Sequence, residues 1–499
     1  MPKSTLPKAW TSFDWSPDLV PLPLGPKLQP LDQTLLDAAG ANAGKLYVVA
    51  PADAVLAPNL LHFVRVAAAE RPDVGIFYGD EAETDARGHV TTVRCKPSFN
   101  PALLQADDYV GFPLVIRASV LAQVRPVFGW RHRSAAWYRL CLEALTRGIG
   151  IDRIPETLIA VPEGRPRAEA GARRAALRTW FAEHDLPLET GPGRVGDTLE
   201  IRRLLKDPPP VTLVVPTRQS RPAPGTLPDG STDPHIVRLL DSLKRSSYPQ
   251  DRIRVLIGDD EPDDAIYRGR SDAFSLGRVV TTRAAGEPFN YAAKMNQLWR
   301  RVETDAMVLM NDDVVVRSAG WLEALMTFAL DRNVGGVGAR LIFPNSTIQH
   351  AGMFGGIFGA CAHPWYGQDE AAPTYSGWAL TQRDCSVVTG AVFATRRGAM
   401  EAVNGFDETF SLDFNDVDLC LKMRMLGLRI VYTPFAELWH NERSSRQNNL
   451  APGDQMVHFV RRWADVLAND PAYSPQLRAD TDRIQPRYTA TQWVEARRA

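Results

Sequence analysis

The 499-residue chain is too long for one ordinary core, and at about 150 residues per domain it predicts two to three domains. A composition 44% hydrophobic and 23% charged is that of a soluble globular protein. With 57 basic against 58 acidic residues there is no net field to favour nucleic acid or an anionic membrane, so any charged substrate must be met locally.

The first residues, 1–14, interleave lysine, tryptophan and proline without an apolar core, which speaks against a secretory signal. The longest weakly polar stretch, 351–362, is glycine-rich and far short of the roughly 20 residues of a membrane span. Peripheral contact with an inner membrane stays open. Cys95, Cys141, Cys361, Cys385 and Cys420 show no C-x-x-C spacing, which argues against a zinc ribbon or a disulfide framework and fits a reducing, cytoplasmic setting.

A proline cluster at 208–210 precedes an apolar run at 211–215 that reads as a buried strand. It sets the expected division: residues 1–205, residues 206–446, and a helical extension, 447–499, packed on the second domain. After the cluster, strand-like runs at 255–258, 307–310, 334–337 and 387–389 alternate with helix-like stretches at 236–246 and 320–330. That alternation predicts an α/β fold around a largely parallel sheet.

The chain also resembles itself. One constant offset lays Val48-Val-Ala-Pro-Ala-Asp53 on Val308-Leu-Met-Asn-Asp-Asp313, and Asp73-Val-Gly75 on Asn333-Val-Gly335. A slightly larger offset lays Leu140-Cys-Leu142 on Leu419-Cys-Leu421, Gly148 on Gly427, Ile151 on Ile430 and Pro155 on Pro434. The polar positions do not repeat. Asn311-Asp312-Asp313 faces Pro51-Ala52-Asp53, Asp416 and Asp418 face Trp137 and Arg139, and His440 faces Val161. Scaffold is kept while carboxylates and imidazole are lost, so the second copy is expected to do the chemistry. The first becomes a packing, acceptor-binding or assembly domain.

Four groups of residues carry that expectation. Asn311-Asp312-Asp313 ends an apolar strand in carboxylates, which suits Mg²⁺ or Mn²⁺, a cation that takes few ligands from protein and the rest from phosphate and water; the same residues also suit a cap. Asp416 and Asp418 fall in the first turn of an apolar-faced helix, where a carboxylate serves as a cap or as a general base toward an acceptor hydroxyl. His440 is a candidate metal ligand, and Arg443 and Arg446 are candidates for diphosphate oxygens. Pro216, Thr217 and Arg218, with Asp259 and Asp260, end two strands where a nucleotide base and ribose would be read.

At these residues the sequence resembles the family 2 glycosyltransferases of bacterial surface-polysaccharide and O-antigen assembly. The resemblance implies two tandem GT-A-like, Rossmann-like nucleotide-diphospho-sugar transferase domains, the N-terminal one degenerate. It implies nucleoside contacts at residues 214–218 and 258–260, diphosphate contacts from Asn290, Lys294 and Asn296, and a DxD metal motif at Asn311-Asp312-Asp313. It also implies acceptor-side loops at Gly390-Ala391 and Gly405-Phe406-Asp407, with Asp418 beside them, an "ED" base motif at Asn415-Asp416 and a late histidine ligand at His440. Ile348-Gln-His-Ala-Gly352, residues 470–475, Gly79-Asp-Glu81 and Lys96-Pro97 resemble a subgroup with two such domains.

Two positions depart from the family. Asn311 replaces the first DxD aspartate, and Asn415 replaces the glutamate of the base motif. The implied reaction is a metal-dependent inverting displacement from a dTDP-, UDP- or GDP-linked sugar to a glycan or lipid-linked glycan, with Asp416 as base and the cation on Asp313 and His440 beside Asp312. The implied setting is cytoplasmic, with no nucleic acid partner. Two rivals remain: a metal-dependent phosphoesterase or nucleotidyltransferase, and an inactive glycan-binding or scaffolding protein.

Overall fold

The computed structural model describes residues 19–24, 44–124, 135–164, 168–270, 274–281, 288–441 and 453–496. By internal contacts the chain divides into two compact units. The first is Met1–Glu200 with Pro471–Arg478 and Gln485–Ala499, and the second is Ile201–Asp470 with Ala479–Ile484. No described helix is long and apolar enough to cross a membrane.

In the first unit, strands β1 (Leu19–Leu24), β2 (Leu46–Pro51), β3 (Val55–Leu56), β4 (Val74–Thr84), β5 (Val90–Arg94), β6 (Leu114–Arg117) and β7 (Gly150–Pro162) form one sheet. Its order is β1-β2-β6-β4-β7-β3, with β5 added to β4. β2 is buried at every position, as its unbroken apolar sequence requires of a central strand. A separate ribbon joins β8 (Leu188–Pro192) to β9 (Leu199–Arg203).

The second unit is built from β10 (Val211–Thr217), β11 (Ile253–Asp259), β12 (Ser275–Val280), β13 (Ala306–Met310), β14 (Val314–Val316), β15 (Val334–Ile342), β16 (Ile348–His350), β17 (Phe354–Gly355), β18 (Cys361–Ala362), β19 (Arg383–Cys385), β20 (Val392–Arg396) and β21 (Arg429–His440). Ten of these form a sheet ordered β12-β11-β10-β13-β20-β15-β21-β14, with β16 on β15 and β19 on β21, while β17 and β18 pair apart. The sheet is mixed α/β rather than largely parallel: β10, β11, β12 and β13 run parallel, but β20 is antiparallel to β13 and β15. The strand expected at 387–389 is absent. Val387 makes only an isolated bridge to Met353, and the pairing strand follows at Val392–Arg396. The expected helices settle at His235–Leu243 and Trp321–Ala329.

The two sheets share a register. Leu46 opposite Arg117 in β2–β6 has its counterpart in Ala306 opposite Arg396 in β13–β20. Val74↔Gly150 and Ile76↔Ile151 in β4–β7, with a register shift between them, match Val334↔Arg429 and Gly336↔Ile430 in β15–β21, with the same shift. A second irregularity follows Gly79 and Ala339: pairing resumes at Asp80↔Thr157, with one further shift before Glu81↔Ile159, and at Arg340↔Glu437, which runs on to Leu341↔Leu438. The edge pairs also agree, Val55↔Ala160 and Val315↔Trp439. Each unit also ends a helix on a left-handed glycine, Gly148 (φ 66°) or Gly427 (φ 76°), which relieves the Cβ penalty there.

The tail departs from the expected division. Helix Gly453–Ala468 belongs to the second unit, but Pro471–Arg478 and Gln485–Ala499 belong to the first. Ser98 N donates to Pro471 O at 2.9 Å and Gln476 Nε2 to Pro155 O at 3.0 Å, while Trp493 and Val494 are buried. The boundary between the units falls at 200/201 rather than 205/206.

Two stability predictions follow from packing. A Cβ added at Gly336 on β15 would lie 2.2 Å from the Phe393 ring on β20. Gly336→Ala should therefore destabilise the fold by about 1–3 kcal/mol, read as a lower denaturation midpoint; an unchanged midpoint would show that the ring yields freely. In the first unit Asp80 is fully buried, its Oδ1 accepts from Lys96 N at 2.8 Å, and no donor among the described residues reaches its Oδ2.

Burial, opposed by the Arg153 charge, pushes the Asp80 carboxyl up to about 7. The folded state then holds a proton that the unfolded chain releases near pH 4, so the stability tied to it is full below roughly pH 4 and is lost as pH rises to about 7. Asp80→Asn should gain melting temperature over the wild type between pH 5 and pH 7 and hold that gain above. A difference constant with pH would refute the buried acid.

Candidate active site

Because β10, β11 and β13 run parallel, their carboxyl ends, Thr217, Asp259 and Met310, open on one edge of the sheet, the usual ligand edge of open α/β sheets. Asn311, Asp312 and Asp313 follow β13 directly. His440 reaches the same edge by a different route: it ends β21, which runs antiparallel to β14 with His440 opposite Val314. Its Nε2 lies 3.2 Å from Asp313 Oδ1, and both side chains are nearly enclosed. Asn441 N donates to Asp313 O at 3.0 Å and fixes the turn.

The two carboxylates differ in environment. Asp312 Oδ2 accepts from Thr217 Oγ1 at 2.5 Å, yet burial, and then the Asp313 charge, push its carboxyl up to about 7. Burial also works to raise Asp313, but His440 and then His235 outweigh it and hold that carboxylate below its ordinary range. Among the described residues no three His, Cys, Asp or Glu side chains already stand as a cage for a metal ion.

The candidate base lies one loop away. Asp416, half-buried in the first turn of helix Asn415–Met425, accepts from Gly390 N through Oδ2 at 2.7 Å. A Cβ at Gly390 would come within 3.3 Å of Asp416 Cβ, so the glycine allows the close approach. The next residue, Ala391, accepts from Asn311 N at 3.0 Å. Gly390-Ala391 therefore ties Asp416 to the Asn311-Asp312-Asp313 turn through one bond from backbone to side chain and one between backbones.

Several expected ligand contacts are instead parts of the frame. Asp259 is fully buried and its Oδ2 accepts from Gln219 Nε2 (2.9 Å), Tyr267 OH (2.6 Å) and Arg278 Nε (3.0 Å), while Oδ1 accepts from Glu261 N (3.0 Å). It has little capacity left for a nucleoside. Asp260 Oδ1 accepts from Thr281 Oγ1 and from the buried Lys294 Nζ, both at 2.7 Å, and Lys294 also donates to Thr217 O at 2.9 Å. Lys294 is committed to holding the strand ends together. Pro216 is buried within β10, and Arg218 is exposed.

Asn290 caps helix Tyr291–Trp299 by accepting from Ala293 N at 3.0 Å, and its Nδ2 donates to Glu408 O at 2.8 Å. Asn296, which is buried, donates to Phe406 O and Glu408 Oε1 and accepts from Phe406 N and Trp299 Nε1. Both asparagines pin the 405–408 loop rather than facing the edge. Phe406 is buried, and Asp407 is taken up by Thr409 and Arg462. Asp418 has no exposed side-chain surface; Trp463 Nε1 donates to it at 3.0 Å, and Arg462 and Lys422 stand at 3.2 and 3.6 Å.

Asp418 therefore anchors helix Gly453–Ala468, whereas Gly390 of the acceptor-side set is bonded to Asp416 and Ala391 to Asn311. Arg443 and Arg446 lie outside the described residues.

Sequence reasoning missed His235, which opens helix His235–Leu243 and whose field acts on both Asp313 and His440; a lone histidine at the head of an amphipathic run gave no signal. It also gave no role to His350, fully buried, with Nδ1 3.1 Å from His363 Nδ1 and Nε2 accepting from Gly352 N at 3.2 Å. At the corresponding edge of the first unit, Ala50, Ile159 and Val161 form an apolar cluster with Ala54, Leu56 and Phe112 packed against it.

Residues 208–464 match the family model described as "Glycosyltransferase like family 2". The chain belongs to that family. Among curated relatives, this family 2 glycosyltransferase is 30% identical over 448 residues to the O-antigen biosynthesis protein RfbC of Myxococcus xanthus, across 85% of this chain and 33% of that protein. It is 28% identical over 450 residues to protein y4gI of Sinorhizobium fredii, across 85% and 47%. It thus spans about a third of the first relative and about half of the second. An N-acetylglucosaminyl-diphospho-decaprenol L-rhamnosyltransferase of Mycobacterium tuberculosis is 23% identical over 233 residues, 43% of this chain and 74% of that one.

Proposed function

We propose that the second unit is an inverting glycosyltransferase that moves a sugar from a nucleotide diphosphate to a growing surface polysaccharide, with Asp416 as general base. The observation that carries this reading is the Gly390-Ala391 link, which holds a half-buried carboxylate and the Asp313–His440 pair at one sheet edge. Asp416 takes the proton of the acceptor hydroxyl as that oxygen attacks the anomeric carbon, and the nucleoside diphosphate leaves from the opposite face.

The donor set suits a divalent cation such as Mn²⁺ or Mg²⁺: a carboxylate held ionised, an imidazole, and a second carboxylate alongside. Asp313 and His440 would hold it, with Asp312 nearby, and when bound it would offset charge on the departing diphosphate. The departures Asn311 and Asn415 leave Asp312, Asp313 and Asp416 to act without their usual partners. The GT-A assignment is part of this reading.

The first unit is read as a degenerate copy of the same domain. The shared register supports a common ancestry, and the apolar cluster at the corresponding edge supports loss of the site. The rhamnosyltransferase relative favours a lipid-linked acceptor, which would bring the chain to the cytoplasmic face of a membrane; dTDP-, UDP- and GDP-sugars all remain candidate donors.

The test is incubation of the purified chain with these nucleotide sugars, with and without Mn²⁺ and a polyprenyl-diphosphate-linked glycan. Nucleoside diphosphate should be released only when donor, cation and acceptor are all present. Release without acceptor would point to hydrolysis, and absence of cation-dependent nucleotide binding would point to a scaffold.

A further inference from the structure

His235 is 2% exposed, and its Nε2 is a buried atom that no hydrogen-bond partner among the described residues reaches. Leaving a polar atom unmatched in the interior costs about 1–3 kcal/mol, so a residue kept this way calls for a partner absent from the resting fold. Its surroundings indicate which. The His235 backbone N–H donates to Ser220 O at 2.9 Å, three residues beyond Thr217, whose hydroxyl holds Asp312.

The helix that His235 opens is fastened to β14, the strand immediately after Asp313: Val316 N donates to Ser242 Oγ at 3.0 Å and Arg245 donates to Val316 O at 2.7 Å. The charge of Asp313 acts on His235, as does that of His440. A second imidazole, within electrostatic reach of both Asp313 and His440, therefore opens a helix bolted to the strand that follows Asp313.

We propose that His235 is a positioning residue of the cation site: when a divalent ion draws the Asp313 carboxylate toward it, His235 Nε2–H takes up the oxygen turned away from the metal and fixes its orientation. This inference rests on the proposed cation site. Metal-bound carboxylates and imidazoles are regularly oriented by such outer hydrogen bonds, whose loss typically weakens metal binding about 10–100-fold. An amide at 235 keeps an N–H donor of similar reach, so glutamine replaces the function where alanine does not.

The experiment titrates Mn²⁺ alone into the full chain and follows free Mn²⁺ by electron paramagnetic resonance, for the wild type and for Asp313→Ala, His235→Ala and His235→Gln. Each variant is also melted in metal-free buffer. Expected are measurable binding by the wild type, its loss in Asp313→Ala, a 10–100-fold weaker affinity in His235→Ala with its metal-free melting temperature kept, and recovery of most of the affinity in His235→Gln.

Wild-type affinity in His235→Ala overturns the inference and leaves the cation site standing. Equal weakening in both His235 variants with a lowered metal-free melting temperature marks His235 as structural only and also overturns it. An Asp313→Ala variant that binds like the wild type, or a wild type that does not bind, overturns the cation site itself and this inference with it.

Discussion

Turnover by Asp416→Asn falls about 10²–10⁴-fold, the usual contribution of a positioned general base, while nucleotide and Mn²⁺ affinities stay close to those of the wild type. Asparagine is the informative replacement because its carbonyl oxygen keeps the 2.7 Å bond from Gly390 N, so the loop that joins the base to Asn311 is undisturbed. What is removed is the ability to accept a proton. Steady-state rates with saturating donor, alongside calorimetric nucleotide binding, separate the two quantities. A variant that turns over within tenfold of the wild type would take Asp416 out of the base role and leave the edge without a candidate, since Asp418 is enclosed by Trp463, Arg462 and Lys422.

The second large effect is on stability. Asp470→Ala should destabilise the second unit by about 3–5 kcal/mol, because it strands groups that this buried carboxylate matches. Asp470 Oδ2 accepts from Gly355 N at 2.6 Å and from Ser386 Oγ, and Arg424 lies 3.6 Å from Oδ1; its side chain is 2% exposed. One residue thus gathers the β17–β18 hairpin, the stretch leading to Gly390 and the end of helix Asn415–Met425. The melting temperature should drop on the order of 10 °C. Asp470→Asn, which still accepts one of these bonds, should fall between the two. A melting curve for the alanine variant that overlays the wild type would show the hub to be dispensable.

Much of the scaffold could be read from the chain. Apolar runs at 211–215 and 307–310 are strands at the doubly covered centre of the sheet, where four or five consecutive residues are all buried. The internal repeat was visible because glycines and prolines, whose backbone demands are strict, keep their places when other residues drift. Sheet direction was not visible. A strand such as Val392–Arg396 has the same sequence pattern whichever way it runs, and its antiparallel placement is fixed by partners far away in the chain.

Asp313 and His440 meet at the sheet edge, and Asp416 lies one loop away. Asp259, at the same edge, and Asn290, Asn296 and Asp418 are taken up by neighbouring groups, for a common reason: an acidic or amide side chain at a strand end or helix start serves equally as ligand or as brace. Only its neighbours decide. Arg278 and Tyr267, which commit Asp259, lie outside any motif, and so does Trp463, which commits Asp418.

An irregularity follows Gly79 in one sheet and Ala339 in the other. Bends of this kind aim the end of a strand, and both halves keep theirs, so Val161 and His440 leave equivalent strands at equivalent points. What separates an oily plug from a polar edge is therefore a few side chains mounted on one backbone path. On the proposed reading of the first unit as a degenerate copy, activity in this architecture can be lost, and in principle restored, without redrawing the course of the chain.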